Sequence, residues 1–391
     1  MMRRHARKAN RTHLLWHIHR LTAPRDRVYW ALHTNERDVV PRFTPKRLRE
    51  IGYDLFGTAG CSEVDTHAVV DHLVESNLFG HDSHGAIRFY EYLRAIREGR
   101  FSPSAKPEIV RDHPAAALVD AGGAMGQVGA TFATELAIEK AKQYGVATVA
   151  LRNTSHVGRV GAYPLMAAKQ GFVGQVFVNA GNLGYQIAPF GGLDGKLSTN
   201  PLAFGAPRRD HEPLMVDMTT SVVAEGKIRV ALNKGDKIPD GWIIDHDGNP
   251  SNDPNDFKGD PPGAILPLGG VVAHKGTGLS LMVEVLGGLL SGLGCANGSR
   301  TMISNGVLLN VYNIEHFADL NEYYDEFESL ISHVKSSRVA PGFEEILIPG
   351  EPEYRNAVRV EAEGIKVDDT TWDQIGVEAR ELGLDPAVWN E

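Results

Sequence analysis

Cysteine is almost missing from this chain of 391 residues, which has only Cys61 and Cys295. Neither belongs to a metal-binding or disulfide spacing, so no zinc centre and no secreted disulfide scaffold is expected, and a reducing, cytoplasmic setting is the default. Long apolar runs are missing as well. None approaches the roughly 18 residues that a membrane span needs, so no membrane partner is expected. Internal repeats and low-complexity tracts are absent. An excess of positive charge is also lacking, since the formal net charge is −9, and nothing implies nucleic acid as a partner of the body of the protein. What remains is 42% hydrophobic and 23% charged residues, as in a soluble globular protein, over a length that fits two domains or one elaborated α/β unit. The first 40 residues differ, with nine Arg and Lys against three Asp and Glu. They lack the apolar centre and small-residue cleavage pattern of a secretory signal. Residues 1–40 are expected to be a disordered or poorly packed basic extension, with mitochondrial targeting as the alternative.

From Thr44 the chain reads as helix: Thr44 and Pro45 open one that ends near Gly57 or Gly60, and Ser62 caps a second that runs to Phe79–Gly80. A third is expected from Ser83 to about Glu98, and three helices before the first convincing strand suggest a helical subdomain. The pattern then alternates. Strands are expected at 117–123, 146–153 and 173–180, with helices at 130–145 and around Gly161–Gly171 between them, which indicates a mixed sheet. Residues 236–267, rich in Pro, Asp, Asn and Gly, read as a long surface excursion. The helix over 276–293 is apolar on most sides and should be buried. An acidic, aromatic-bearing helix is expected at 319–336, then a tight turn at 347–353 and a last helix near Trp372–Leu382.

Several constellations carry chemistry. In DSHGAIR (82–88), His84 suits a proton donor beside a carbonyl oxygen, and Arg88 offers a planar fork of donors for a carboxylate. In one helix they would share a face; in the plain structural reading, Ser83 is only a cap. The turn at Ala121, Gly123 and Gly126 nearly has G-x-G-x-x-G spacing, but the first glycine and the ribose-binding acid are missing, so it reads as a turn admitting a close helix. RNTSHVGRVGAY (152–163) fits a phosphate or nicotinamide cradle, in which Gly158 and Gly161 open the backbone to an anion and Arg159 neutralises it. The alternative is a satisfied loop histidine with turn glycines. Thr199, Asn200 and Asp217 are expensive to bury without partners. His274 and Lys275 open the apolar helix, where their charge is disfavoured unless an anion arrives.

Taken in order from about Phe43 to about Trp372, NLFGHDSHGAIR, GQVGA, RNTSHVGRVGAY, APFGG, STNPLAFGAP, VDMTTS, HKGTGLSLMVE, SNGVLL and IPGEPE resemble the malate/L-lactate/sulfolactate dehydrogenase family. In motif they are most similar to its hydroxycarboxylate dehydrogenase branch. The resemblance implies an α/β, non-Rossmann, L-sulfolactate dehydrogenase-like fold. A helical subdomain at 41–115, completed by 320–391, would accompany a mixed-sheet NAD(P)-binding domain at 116–319. It implies hydride transfer between NAD or NADP and a small 2-hydroxy acid or 2-keto acid such as malate, lactate or sulfolactate, in a homodimer, with no metal. His84 is implied as proton donor or acceptor, Arg88 as carboxylate ligand, and His156 as the histidine facing nicotinamide and substrate. The cofactor is implied to meet Gly158, Arg159, Val160, Asp217, Met218, His274, Lys275, Asn305, Gly350 and Glu351. Val157 replaces the aromatic residue common after that histidine, and residues 1–40 have no counterpart. A ketimine or cyclic imino-acid reductase is the related alternative. A catalytically silent nucleotide-binding protein is the alternative of another class, and the presence of both His84 and Arg88 speaks against it.

Overall fold

After a two-residue strand, β1 (Arg42–Phe43), the Thr44 hydroxyl accepts from the Arg47 amide at 3.1 Å and Pro45 takes the first helical position, which starts α1 (Pro45–Thr58). Ser62 starts α2 (Glu63–Leu78) in the same way. The computed structural model describes residues 41–180, 185–297 and 304–389, the side chains of 233 and 234 excepted. Expectations placed on residues 1–40 therefore lie outside the described residues.

The third helix departs from the expectation. Asp82–His84 forms a single 3₁₀ turn, and the α-helix, α3 (Ile87–Arg97), begins only after it. Asn77 is the cause: its Oδ1 accepts from the Ala86 amide and its Nδ2 donates to Asp82 Oδ1, both at 2.7 Å. The amide is wedged against Gly85, where any Cβ would collide with it. His84 and Arg88 thus do not share the face of one α-helix. They meet because the chain folds back, and Arg88 Nε donates to the Ser83 carbonyl at 2.7 Å.

The main sheet follows with β2 (Glu108–His113), β3 (Ala116–Asp120), α4 (Gly126–Tyr144), β4 (Val146–Thr154), α5 (Ala162–Lys169), β5 (Phe172–Asn179), β6 (Leu202–Arg208) and β7 (His211–Met218). Next come α6 (Glu225–Lys234), β8 (Ile243–Ile244), β9 (Pro250–Ser251), α7 (Pro254–Lys258), β10 (Ala264–Ile265) and α8 (His274–Val283). The chain then runs through β11 (Asn305–Asn313), α9 (Leu320–Lys335), α10 (Glu351–Glu363), β12 (Ile365–Lys366) and α11 (Asp369–Glu381). Seven strands pair in the order β2-β3-β4-β11-β5-β6-β7, and only β3 and β4 are parallel. A single parallel pair in an otherwise antiparallel sheet is not a doubly wound dinucleotide fold. Small residues let the helices approach. Ala130, Ala133, Ala137 and Ala141 line one face of α4 over Val149, Leu151, Val307 and Leu309, while Gly174 and Gly205 leave room for Pro164 of α5.

A second core joins α1, α2 and α3 to the C-terminal segment, with Leu48, Ile51, Leu73, Phe89, Ile375 and Trp389 all buried in it. Four readings of the sequence are corrected here. β2 falls inside the stretch expected to be helical; all six of its residues are exposed, so it shows no alternation of apolar and polar positions. Residues 236–267 are not a bare excursion, because β10-β8-β9 form a small sheet around Ile238, Ile243, Phe257 and Ile265. The turn near Gly350 leads directly into α10, whose single buried residue, Val360, gives almost no helical signature. Finally, the apolar helix at 276–293 is only half covered. Leu281, Met282, Val285, Leu289 and Leu290 are exposed along α8 and the π-helical turn Glu284–Leu289 that continues it.

Candidate functional site

The 3₁₀ turn holds His84 over His156, with the two imidazoles 5.5 Å apart and 20° from parallel. Each ring has its Nδ1 held by the protein, His84 by Ser83 Oγ at 3.0 Å and His156 by the Tyr92 hydroxyl at 2.7 Å. Burial, then the charge His156 would carry and the Arg88 guanidinium, hold His84 well below the usual imidazole range. Burial, then Arg88, brings His156 down to about 3. Both rings are therefore neutral at ordinary pH. Arg88 lies beside them with Nε on the Ser83 carbonyl and Nη1 on Glu91, and among the described residues its Nη2 has no protein partner. Arg229 of α6 reaches the other Glu91 oxygen at 3.9 Å. A bidentate grip on a carboxylate thus needs Glu91 to release Nη1.

The loop from His156 to Gly161 is fixed from four directions. Its Val157 amide donates to Asn305 Oδ1 at 3.0 Å, its Arg159 amide to His72 Nε2 at 2.8 Å, and its Gly161 amide to Asp217 Oδ2 at 2.8 Å. Gly126, at the start of α4, presses on the His156 carbonyl from behind. Gly158 takes φ +75°, where a side chain would strike His72. Among the described residues the Gly158 and Val160 amides have no acceptor, and two free N–H groups in a fixed loop are what an anion needs. The Ala121–Gly126 turn offers the opposite case. Its Gly122, Gly123 and Ala124 amides already donate to Asp120 Oδ1, the Asn153 carbonyl and the Ala121 carbonyl, at 3.0, 2.7 and 2.9 Å. Among the described residues only the Met125 and Gly126 amides, at the uncapped start of α4, are left there without an acceptor.

The remaining expected residues divide into two groups. Asp217, on β7 with Met218, comes together with the loop, and Gly350 lies over the same strand because the Pro349 carbonyl accepts from the Met215 amide at 3.2 Å. His81 and Glu353 are beside them, 3.9 Å apart. Burial pushes the Glu353 carboxyl up, and among the described residues its buried Oε2 has no partner. His274 and Lys275 stand apart and exposed at the start of α8, which has no side-chain cap; the His274 ring lies 5.7 Å from Phe190. Asn305 and Glu351 have their side chains engaged inside the protein. Asn305 Nδ2 donates to the Asn179 carbonyl at 3.2 Å, and Glu351 bonds the Ile348 amide at 3.0 Å and Lys335 at 2.5 Å. Among the described residues no group of three or more His, Cys, Asp or Glu side chains is placed to hold a metal ion.

Residues 43–376 match the family profile of malate/L-lactate dehydrogenase. The chain belongs to the malate/L-lactate dehydrogenase family. Among relatives in this family, a malate dehydrogenase of Pyrococcus horikoshii is 37% identical over 83% of this chain and 91% of its own length. Hydroxycarboxylate dehydrogenase B of Escherichia coli K12 is 35% identical over 88% of this chain and 95% of its own. The solved structure of sulfolactate dehydrogenase from Methanocaldococcus jannaschii superposes with a TM-score of 0.80 at 35% identity, covering 90% of this chain and all of that one. A Δ1-piperideine-2-carboxylate reductase from Pseudomonas syringae superposes with a TM-score of 0.74 at 28% identity, over 87% of this chain and all of that one.

In this member of the malate/L-lactate dehydrogenase family, the Arg159 side chain is engaged inside the protein. Its guanidinium is not turned toward an open cradle. It is 2% exposed, donates from Nη2 to Glu75 at 2.6 Å, and lies 4.7 Å from the centre of the Phe79 ring. Only Nε is without a partner. The cation thus pins the loop to α2, and Arg159→Ala is expected to lower unfolding stability by about 3 kcal/mol through the broken pair, the low end of the range for a buried pair because Glu75 is partly exposed, as read by denaturant unfolding. An unchanged midpoint with weakened NADH binding would return Arg159 to the cofactor. Tyr92, Gln127, Glu91, His72 and Glu75 complete the site without having been singled out from sequence. Tyr92 and Glu91 follow Arg88 at helical spacing, and Gln127 lies in GQVGA, but the His156 partner of Tyr92, the Arg229 partner of Glu91 and the Tyr92 partner of Gln127 are far away in the chain.

Proposed function

We propose that this chain is an NAD(P)-dependent oxidoreductase that interconverts a small 2-hydroxy acid and its 2-keto acid. The observation that carries the reading is a pair of half-buried imidazoles stacked beside an arginine with a free nitrogen, next to a glycine loop with unbonded amides. Gly158 and Val160 would hold phosphate through their amides, with Asp217, Met218 and Gly350 close by, and His274 and Lys275 would meet a more distant anionic part. When bound, the nicotinamide accepts hydride in oxidation and donates it in reduction. The protein's own part is proton handling and orientation. Arg88 Nη2 anchors the C1 carboxylate, and Ser83 Oγ accepts a hydrogen bond from His84 Nδ1–H, which leaves His84 Nε2 to receive the hydroxyl proton. A second copy of the chain would cover the apolar stripe of Leu281, Met282, Val285, Leu289 and Leu290, making a homodimer in the cytoplasm.

The test is a panel of pyruvate, oxaloacetate, phenylpyruvate, sulfopyruvate and a cyclic imine, with NADH or NADPH oxidation followed by absorbance. Turnover of at least one 2-keto acid is expected. Turnover of the imine alone would favour the reductase reading, which the likeness to the piperideine-2-carboxylate reductase supports; no turnover at all would remove the dehydrogenase. Arg88→Lys should raise KM for the accepted acid about tenfold, since a point charge replaces a planar fork. Unchanged kinetics would mean that another residue holds the carboxylate.

A further inference from the structure

The two stacked histidines are held by different partners, and the partner of His156 decides which of its ring nitrogens carries hydrogen. We infer that Tyr92 is a positioning residue that donates to His156 Nδ1, fixes the Nε2–H tautomer, and so makes His156 a hydrogen-bond donor to the substrate's C2 oxygen, never the base. The inference rests on the function proposed above and divides the labour within that site.

Direction follows from the chain of donors. Gln127 Nε2 donates to the Tyr92 oxygen at 3.2 Å, and Tyr92 lies 2.7 Å from His156 Nδ1. The longer separation suits an N–H donor and the shorter one an O–H donor. A phenol has one hydrogen to give. The other acceptor in reach, the His156 carbonyl, is 3.4 Å away, so the hydrogen goes to Nδ1. Tyr92 is itself buried, on α3 one turn beyond Arg88, where the same helix fixes both residues. His156 stays neutral by burial, so a single tautomer persists at ordinary pH.

The two Nε2 atoms, which have no protein partner among the described residues, then present opposite characters to a substrate. In the function proposed above His84, with Ser83 accepting from Nδ1–H, offers a lone pair, while His156 offers N–H. A C2 hydroxyl has one hydrogen to donate and lone pairs to fill, so this combination satisfies both, whereas two bare lone pairs would repel the developing alkoxide. During oxidation the O–H bond breaks and its proton moves to His84 Nε2. The His156 N–H bond remains intact throughout.

Long-range ¹H–¹⁵N correlation spectra of the full-length protein labelled at histidine, with His156 assigned by its loss in His156→Gln, read the tautomer directly. An Nε2–H pattern for His156 is expected in the wild type. In Tyr92→Phe the pattern should shift toward Nδ1–H or an average, with kcat lowered roughly ten- to hundredfold and KM within about threefold. The acid limb of the pH profile, set by His84, should stay where it is. Nδ1–H on wild-type His156 would overturn the inference. It would mean that the Gln127 amide is turned, with its unpartnered Oε1 accepting from Tyr92 and the whole chain of donors reversed. An unchanged tautomer and kcat in Tyr92→Phe would overturn it as well. Either result in a wild type that turns over 2-keto acids would leave the dehydrogenase reading intact, whereas absent turnover beside an Nε2–H spectrum would strike that reading instead.

Discussion

Replacing His84 with alanine is expected to slow the chemical step by roughly 10²–10⁴-fold, the usual contribution of a positioned acid or base, while NADH binds nearly as before. Cofactor affinity should survive because the loop amides, Asp217 and Gly350 are fixed by contacts that do not pass through His84. The pH dependence supplies the sign. Oxidation needs neutral His84, and its imidazole is held well below 6.5, so the rate should stay level as pH falls through 6.5 and decline only at more acid values. Reduction needs the protonated ring, which is scarce at neutral pH, so kcat/KM in that direction should rise as pH falls. Equal loss of NADH binding and turnover in His84→Ala would move His84 from proton transfer to a structural role.

Gly126→Ala is expected to damage the fold and the site together. A Cβ at this position would sit well inside van der Waals contact distance of the His156 carbonyl oxygen and 2.7 Å from Val157 Cα. Both are backbone atoms of the loop that presents His156, so no rotamer change relieves the clash. Overpacking of this kind costs about 1–3 kcal/mol, and any relief must displace the His156 ring. Thermal unfolding should therefore show a lower midpoint, and the surviving folded fraction should have a lower kcat. Gly122→Ala is the control. That glycine lies in the same turn with nothing within 4 Å of an added Cβ, so beyond the strain of its φ of +59° it should leave His156 in place. Equal stability of the Gly126→Ala protein and the wild type would show that the loop and α4 are not in contact.

Local signals carried far in this chain. Thr44 with Pro45 and Ser62 announce α1 and α2, Gly145 closes α4, and the apolar run 146–153 falls within β4, because capping and periodicity depend on neighbours in sequence. The two-residue strands β8, β9 and β10 have no period to detect, and their Pro- and Asp-rich surroundings conceal the buried Ile238 and Phe257. The break at Gly85 was hidden for a different reason. It depends on Asn77, eight residues earlier, turning its amide into the turn. At the site, His84, Arg88 and His156 stand in readable motifs. Arg159 looked free only because Glu75, 84 residues away, is brought to it by the packing of α2 against the loop. Tyr92 and His156, 64 residues apart, are partners for the same kind of reason. The exposed apolar stripe on α8 reverses the usual inference, since an apolar sequence identifies a surface to be covered without saying by what.

In the proposed enzyme the nucleotide crosses loops and helix ends far apart in sequence and meets the substrate at His84, Arg88 and His156. A crystal structure of the protein with NADH and an unreactive 2-keto acid analogue tests it most directly. Phosphate oxygens are expected on the Gly158 and Val160 amides, with the nucleotide extending past Asp217 and Gly350 toward His274, and the analogue's carboxylate on Arg88 with its C2 oxygen between the two imidazoles. Pyrophosphate seated on the Ala121–Gly126 turn, or an analogue remote from Arg88, would contradict it.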